Sequence, residues 1–192
     1  KATPIGAAAK FAAAGKSINK KDLGLMAMAY GHVYVASIAF GAKDNHTVLA
    51  FREAESYRGP SLIIAYSHCI AHGYDLQYGV DQQKRAVESG IWPLYRYDPR
   101  RVAAGEPPLI LDAPGGRTPV NEYMRNETRF RMVEKIDPVR FKWLAAEAQR
   151  AAQRRVAVYQ HMAGLRVPRA EGGNGHAKPA EAAPEKTAPA KA

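Results

Sequence analysis

Residues 61–73 have the sequence SLIIAYSHCIAHG and contain the only cysteine of the chain, Cys69. Pro60 stands before the apolar run, and Gly73 follows the polar turn that holds the cysteine. A short apolar run bounded by glycine and proline is typical of a buried strand in a parallel sheet. Open α/β sheets bind ligands just outside the carboxyl ends of their strands. The pattern therefore predicts a strand that ends at Cys69 and places this thiol at a ligand-binding crevice.

Helix and strand patterns alternate on both sides of this stretch. Further strands are predicted at residues 33–40 and 94–97. Helices are predicted from Asp22 as N-cap to Gly31, from Asn45 or Thr47 through Ala54, and over residues 80–89 with Gly90 just beyond the helix. This alternation indicates βαβ units, and hence an α/β fold with a parallel sheet flanked by helices. Three strands make a thin sheet, which suggests that more strands lie upstream.

The second half of the chain has a different character, which begins at residue 100. Residues 105–116 are rich in proline and glycine around a possible edge strand at 109–111, and a helix is predicted at 121–134. Asp137 followed by Pro138 is typical of a helix start, and a long amphipathic helix should follow to Met162, with Gly164 at its end. Residues 169–192 have little to bury and are predicted to be disordered. We therefore expect three parts: 1–99, 100–166 and the tail 167–192.

Composition limits the classes of protein to be considered. Of 192 residues 46% are hydrophobic, yet no apolar run is long enough to cross a bilayer and no signal peptide is evident. A single cysteine cannot form an internal disulfide, so we expect a cytoplasmic protein without a membrane partner. The formal net charge of +10 would suit an anionic partner, but the basic residues are scattered over predicted helix faces. This scatter favours a solvated basic surface and makes a nucleic-acid partner unlikely.

Cys69 lies between His68 and His72, and this spacing is compatible with several kinds of site. In a Cys/His nucleophile pair the two side chains must meet, but neighbours on a strand point to opposite faces. For zinc, the segment supplies at most three ligands in a crowded spacing. For an iron–sulfur cluster, the other thiolates would have to come from elsewhere. On spacing alone, a buried apolar role for Cys69 remains the simplest interpretation.

Other polar groups are weaker candidates. Asp44 and Asn45 could form a phosphate or metal loop, although a plain helix N-cap explains them as well. Arg96, Arg100 and Arg101 could grip an anion, or could form salt bridges with nearby acidic residues. The chain has neither a glycine-rich phosphate fingerprint nor a nucleophile elbow.

Longer blocks of sequence carry a resemblance to a known family. These blocks are KATP (1–4), AKFAAAGK (9–16), KKDLG (20–24), GAKDN (41–45), GPSLIIAYSHCIAHG (59–73) and GIWPLYRYDP (90–99). Together they resemble the C-terminal thiamine-diphosphate domain of the pyruvate:ferredoxin (flavodoxin) oxidoreductases, from residue 1 to about residue 162. The block that contains Cys69 is the most specific of them.

The resemblance implies a fold, a reaction and a role for Cys69. It implies an incomplete thiamine-diphosphate-binding fold, followed by a long C-terminal helix. The family decarboxylates pyruvate oxidatively on thiamine diphosphate and Mg²⁺, forms acetyl-CoA and CO₂ with coenzyme A, and passes electrons through [4Fe–4S] clusters to ferredoxin or flavodoxin. Cys69 matches the last ligand of the cluster nearest the thiamine. The expected partners are the upstream domains, the substrates, the electron acceptor and a second copy in a homodimer.

The chain also departs from the family pattern. The Gly-Asp-Gly and Asn-Thr-Gly-Gly-Gln segments that hold the metal and the diphosphate are absent, as are the other three cluster cysteines. We therefore expect a fragment that contains no catalytic residue and is inactive alone. Two alternatives stay open: a non-catalytic basic interaction module, and the same chemistry on another 2-oxo acid.

Overall fold

The computed structural model describes residues 3–70, 73 and 75–168, which form four strands and seven helices. The strands are β1 (Tyr34–Ile38), β2 (Ser61–Ala65), β3 (Leu94–Tyr97) and β4 (Leu109–Ala113). The helices are α1 (Leu23–Met28), α2 (Asp44–Ser56), α3 (Gly79–Glu88), α4 (Arg100–Ala103), α5 (Val120–Arg125), α6 (Thr128–Ile136) and α7 (Pro138–Gly164), and a 3₁₀ turn (Leu76–Tyr78) precedes α3. The predicted α/β class is confirmed.

The four strands form one sheet in the order β2-β1-β3-β4. Only β1 and β2 are parallel; β3 runs antiparallel to both β1 and β4, so the sheet is mixed rather than all parallel. The reason lies just before β3, where the Trp92 indole N–H donates to the Ile38 carbonyl at the end of β1 (3.0 Å). Because β3 starts where β1 ends, it has to run back along β1.

The strand predicted to end at Cys69 ends four residues earlier, at Ala65. One further bond joins Tyr66 N to the Ile38 carbonyl (2.9 Å), and β1 itself stops at Ile38. Beyond that point β2 has no neighbouring strand to pair with. The prediction of a strand up to Cys69 is therefore wrong, although the cysteine still follows the carboxyl end of β2.

Helices cover both faces of the sheet. On one face Tyr95 and Tyr97 pack with Ala27 of α1 and Tyr159 of α7. On the other face Tyr34, Ala36 and Ile38 of β1 pack with Ala50 of α2. Alternate strand residues point to opposite faces, which explains why the aromatic residues of β3 alternate with the charged Arg96.

A third core lies beside the sheet, where α5, α6 and α7 meet the N-terminal loop. Ile5, Ala7 and Ala8 of this loop are buried in it. The loop turns at Gly6, whose φ is +80°, and Gly6 N donates to the Lys16 carbonyl (2.8 Å). Residues 7–15 form a loop that is held in place by packing and backbone hydrogen bonds.

Several predicted helix ends are confirmed. Asp22 caps α1 through a bond from Leu25 N to its carboxylate (3.2 Å), and Asp137 caps α7 in the same way, with Pro138 as the first helical residue. Gly90 follows α3 with φ +77°. No helix within the described ranges is long and apolar enough to cross a membrane.

The helix predicted at residues 121–134 is two helices, α5 and α6. The break falls at Glu127, whose backbone is extended (φ −107°, ψ 132°). The predicted disorder of residues 169–192 concerns residues that lie outside the described ranges. The division at residue 99/100 stays a prediction, and β4, beyond that point, pairs with β3.

Candidate functional site

A cavity of about 680 Å³ opens beyond the carboxyl end of β2. Its walls come from the N-terminal loop with the start of α1, the loop after β2, the segment just before β3, the helices α5 and α6, and one side of α7. Cys69 lies in its lining. The cavity is thus at the end of the parallel strand pair, which is where α/β sheets place ligands.

The loop after β2 presents Ser67, His68 and Cys69 to the cavity. Cys69 is half-buried. The His68 ring lies against α3, where its Nε2 is 3.2 Å from the Gln83 amide nitrogen. A Cβ added at Gly79 would lie only 3.1 Å from the same ring nitrogen, so this helix start approaches the imidazole closely. Burial lowers the pKa of His68, although the Glu127 carboxylate opposes this shift. His72, the other predicted candidate, lies outside the described residues.

Basic side chains outnumber acidic ones in the described part of the cavity lining. Four lysine and arginine side chains face one aspartate: Lys20, Arg129, Arg154 and Arg155 against Asp22. Lys20 remains exposed within the cavity, and its ammonium lies 5.1 Å from the centre of the Trp92 ring. Partial burial, followed by repulsion from Arg155 and Arg129, lowers the pKa of Lys20. The cavity is therefore electropositive and suits a negatively charged occupant.

Arg129 is the cation that the surrounding structure holds most firmly. Its side chain is 15% exposed, and its Nε lies 2.5 Å from Oε2 of Glu127, whose side chain is 2% exposed. This contact is an ion pair whose angle falls outside hydrogen-bond geometry. Arg129 Nη2 also donates to the Tyr123 hydroxyl (3.2 Å). Burial works against the charge on Arg129, yet Tyr123, Glu127 and Cys69 among others act in its favour and leave its pKa raised.

Glu127 is itself held by hydrogen bonds from two further side chains, Gln82 and Tyr66. Gln82 donates an amide N–H to Glu127 Oε1 (2.9 Å) and another bond to the Tyr123 carbonyl (3.0 Å). The Tyr66 hydroxyl also donates to Glu127 Oε1 (3.3 Å), and the Tyr66 ring meets Trp92 edge to face at 5.4 Å. We call Tyr66, Gln82, Tyr123, Glu127 and Arg129 the cavity network. It joins the loop after β2, α3 and the α5–α6 break.

Alanines make up half of the α7 residues that line the cavity. Ala148, Ala151 and Ala152 face it, and the first and last of these are almost fully buried. Their small side chains leave the space open while α7 still packs against α5 and α6 through Leu144 and Phe141. The sequence signal that could have revealed this wall is the run of alanines in the predicted long helix.

No group of three or more His, Cys, Asp and Glu side chains converges like metal ligands within the described ranges. Cys69 remains the single thiol of the chain. The described residues therefore bring one thiol to the cavity.

The other sequence candidates lie elsewhere. Asp44 is the first residue of α2, and its carboxylate accepts a bond from Asn45 N (2.7 Å). Arg100 pairs with Asp98 (2.7 Å), and Arg101 pairs with Glu106 (2.9 Å). These contacts match the alternatives given above, a helix start at Asp44 and salt bridges of Arg100 and Arg101, rather than a loop that binds phosphate, metal or another anion.

Arg96 belongs to a second buried cluster, which we call the sheet network. It consists of Tyr34, His46, Glu53, Arg96 and Asp112. Arg96 binds Asp112 with two nitrogens (2.8 and 3.0 Å) and also pairs with Glu53. His46 Nε2 lies 3.0 Å from Asp112 Oδ2, and the Tyr34 hydroxyl donates to Glu53 (2.9 Å). Burial opposes the ionisation of Asp112, but the bonds from His46 and Arg96 outweigh it and lower the pKa of this carboxyl.

Comparison with known proteins relates the chain to a class of enzymes. A pyruvate-flavodoxin oxidoreductase of Rhodospirillum rubrum is 58% identical over 165 residues, which are 86% of this chain and 14% of that protein. A pyruvate:ferredoxin oxidoreductase of Moorella thermoacetica is 47% identical over 163 residues, 85% of this chain and 14% of that protein. A probable pyruvate-flavodoxin oxidoreductase of Escherichia coli is 48% identical over similar shares. No protein-family model matches the chain. The chain is thus homologous to one segment of the pyruvate-flavodoxin oxidoreductases and spans about 14% of the length of these relatives.

Proposed function

We propose that the chain is a segment of a pyruvate:ferredoxin or pyruvate:flavodoxin oxidoreductase, and that Cys69 supplies one thiolate of a [4Fe–4S] cluster near thiamine diphosphate. The observation that carries the enzyme assignment is the 58% identity, over 86% of the chain, to an oxidoreductase of that name. The assignment of Cys69 rests on the family resemblance and on its position at the cavity.

The residues around Cys69 fit a cluster ligand. Iron–sulfur clusters are held by cysteine thiolates, and burial, net charge and nearby hydrogen bonds set their potentials. Cys69 is half-buried at a cavity rather than on an open surface. The cavity also holds more positive than negative side chains, which favours a cluster that four thiolates make negative overall. When bound, the cluster would carry electrons one at a time.

Thiamine diphosphate and Mg²⁺ do not fit the described residues in the same way. No set of three acidic, histidine or cysteine side chains converges in this part of the chain. The resemblance assigns the motifs for the diphosphate and its metal to segments that precede residue 1. We therefore propose that other parts of a longer enzyme bind these groups and that the isolated chain is inactive.

The remaining partners follow from the same proposal. Pyruvate and coenzyme A would be substrates of the whole enzyme, and ferredoxin or flavodoxin would accept its electrons. The part of the same domain that comes earlier in the enzyme would supply the other three cluster ligands, the upstream domains would be further partners, and a homodimer is the expected assembly. The division of the chain at residues 99/100 and 166/167 belongs to this proposal too.

A chimera tests the role of Cys69. The matching segment of the Rhodospirillum rubrum relative is replaced by this chain, and Cys69→Ser is compared with Ser67→Ala, a control two residues away in the same cavity lining. Electron paramagnetic resonance and iron analysis count the clusters. We expect Cys69→Ser to lose one cluster and most electron transfer, while Ser67→Ala keeps all clusters. A full set of clusters in Cys69→Ser would refute the ligand assignment.

The mass of the native polypeptide separates the enzyme segment from an independent interaction module. An immunoblot of the source cell with an antibody to the chain gives this mass. We expect a band far above 21.0 kDa. A band at that mass would show a separate small protein and favour the basic interaction module.

A further inference from the structure

We infer that Arg129 sets the reduction potential of the group bound at Cys69, raising it, and that buried Glu127 is the positioning residue that holds Arg129 in place. This inference rests on the proposed role of Cys69. It adds two residues, at the α5–α6 break, to the electronic environment of the site.

The first step is the shared location of the two side chains. Arg129 and Cys69 line the same cavity, one from α6 and the other from the loop after β2. A thiolate at Cys69 is among the charges that favour the charged form of Arg129, although it is the smallest of them, so the two side chains lie within electrostatic reach across the cavity. A positive charge close to a thiolate ligand also acts on the metal centre to which this thiolate belongs.

The second step is that Arg129 differs from the other cations of the cavity. Lys20 and Arg154 are exposed, so water screens their charges. Arg155 donates hydrogen bonds to the carbonyls of Gly90 and Ile91, so its guanidinium points toward these backbone groups. Arg129 is largely buried, where the lower effective dielectric constant makes a charge felt more strongly.

The third step is that Arg129 has a fixed direction. Glu127 and the Tyr123 hydroxyl hold its guanidinium, and the ring of Phe130 lies 5.1 Å from its central carbon. Glu127 cannot swing away, because Gln82 and Tyr66 bind its other oxygen. The extended backbone at Glu127, which separates α5 from α6, is what brings this carboxylate inward.

The sign of the effect follows from charge. One-electron reduction adds one negative charge to the centre and forms or breaks no covalent bond. A nearby positive charge stabilises the reduced state more than the oxidised state, so it raises the potential. Removing the Arg129 charge should therefore lower the midpoint potential.

The test uses the chimeric holoenzyme and a redox titration with dithionite, followed by electron paramagnetic resonance. For Arg129→Gln we expect the ratio of reduced to oxidised cluster to be at least tenfold lower at a fixed solution potential. For a one-electron couple this corresponds to a midpoint potential lowered by about 59 mV. Arg129→Lys keeps the charge and should shift the midpoint much less. The matched control is Arg131→Gln, which removes an exposed charge from the same helix and should leave the midpoint unchanged.

Folding is controlled separately, because Arg129→Gln leaves buried Glu127 without its cation. The double variant Glu127→Gln/Arg129→Gln removes both charges, and we expect its midpoint to be lowered as well, since the cation is the member of the pair that lines the cavity. An unchanged midpoint in whichever variant retains the cluster would overturn the inference, as would an equal shift in Arg131→Gln. Failure of the proposed function looks different: the cluster would persist in Cys69→Ser.

Discussion

The cavity network and the sheet network contain similar groups but are built in opposite ways. Each has a buried arginine, an acidic partner and a tyrosine hydroxyl. In the sheet network two carboxylates, Glu53 and Asp112, surround Arg96, and α2 and the strands enclose them. In the cavity network Glu127 is the one carboxylate paired with Arg129, and further cations line the space beside it.

This difference suggests that the charges of the sheet network stabilise the fold, whereas the charges around the cavity serve ligand binding. Buried charges are stable when opposite charges and hydrogen bonds accompany them, and Glu53, Arg96 and Asp112 all find such partners inside the sheet network. The cavity network pairs Arg129 with Glu127, but Lys20, Arg154 and Arg155 add positive charge around the open space beside it, which an anionic occupant or water would stabilise. We therefore expect substitutions in the first network to change stability and substitutions in the second to change ligand chemistry.

Arg96→Leu should give the largest effect on stability. It leaves Asp112 and Glu53 without their cation in a largely buried site, and losses of about 3–5 kcal/mol are usual for such a break. The measurement is the free energy of unfolding of the 192-residue chain in urea. Arg101→Leu is the matched control, because it removes an arginine from the more exposed pair with Glu106 and should cost about 0–1 kcal/mol. Equal losses in the two variants would remove the distinction between a buried and a surface pair.

Acid should weaken the sheet network next. The pKa of Asp112 is lower in the folded chain than its ordinary value of 3.8. Its contribution to stability is therefore complete above pH 3.8 and is lost as pH falls through the folded pKa. We expect the urea concentration at the unfolding midpoint to decrease as the pH is lowered below about 4. This decrease should be less steep in Asp112→Asn. Burial opposes the ionisation of Asp98, but Arg100 outweighs it and lowers the pKa of this carboxyl too. Asp98 should therefore account for part of the pH dependence that remains in Asp112→Asn. An unaltered slope in Asp112→Asn would contradict this account.

Lys20→Met should have the smallest effect, although it also removes a positive charge. Burial and neighbouring arginines lower the pKa of Lys20, so folding does not favour its charged form. The lost contact with Trp92 and the relieved repulsion act in opposite directions, and we expect a change within about 0.5 kcal/mol in urea unfolding at pH 7. A loss as large as that of Arg96→Leu would show that the cavity cations are structural too.

The sequence predicted those parts of the fold that depend on local signals. The N-cap at Asp137, the strand at residues 94–97 and the end of α3 before Gly90 are all encoded within a few residues. The direction of β3 is not local, because it depends on a bond from Trp92 to a carbonyl 54 residues earlier. Where β2 ends depends likewise on where its neighbour β1 ends.

The candidate site was predicted only in part, for the same reason. Cys69 was found from the block of sequence around it. Glu127 and Arg129 were missed, since their partners Gln82 and Tyr66 are 45 and 61 residues away from Glu127 in the chain. The break between α5 and α6 contains no glycine or proline, so the local sequence gives no signal for it.

The alanines of α7 have a consequence for how this site could change over evolution. The cavity is open on that side because the side chains are short, while the backbone of α7 is regular throughout. A single substitution at Ala151 by a longer side chain would narrow the space without disturbing the helix. The volume and the polarity of the site can therefore vary independently. The volume depends on the alanines of α7, whereas the polarity depends on basic side chains from α7, α6 and the N-terminal loop.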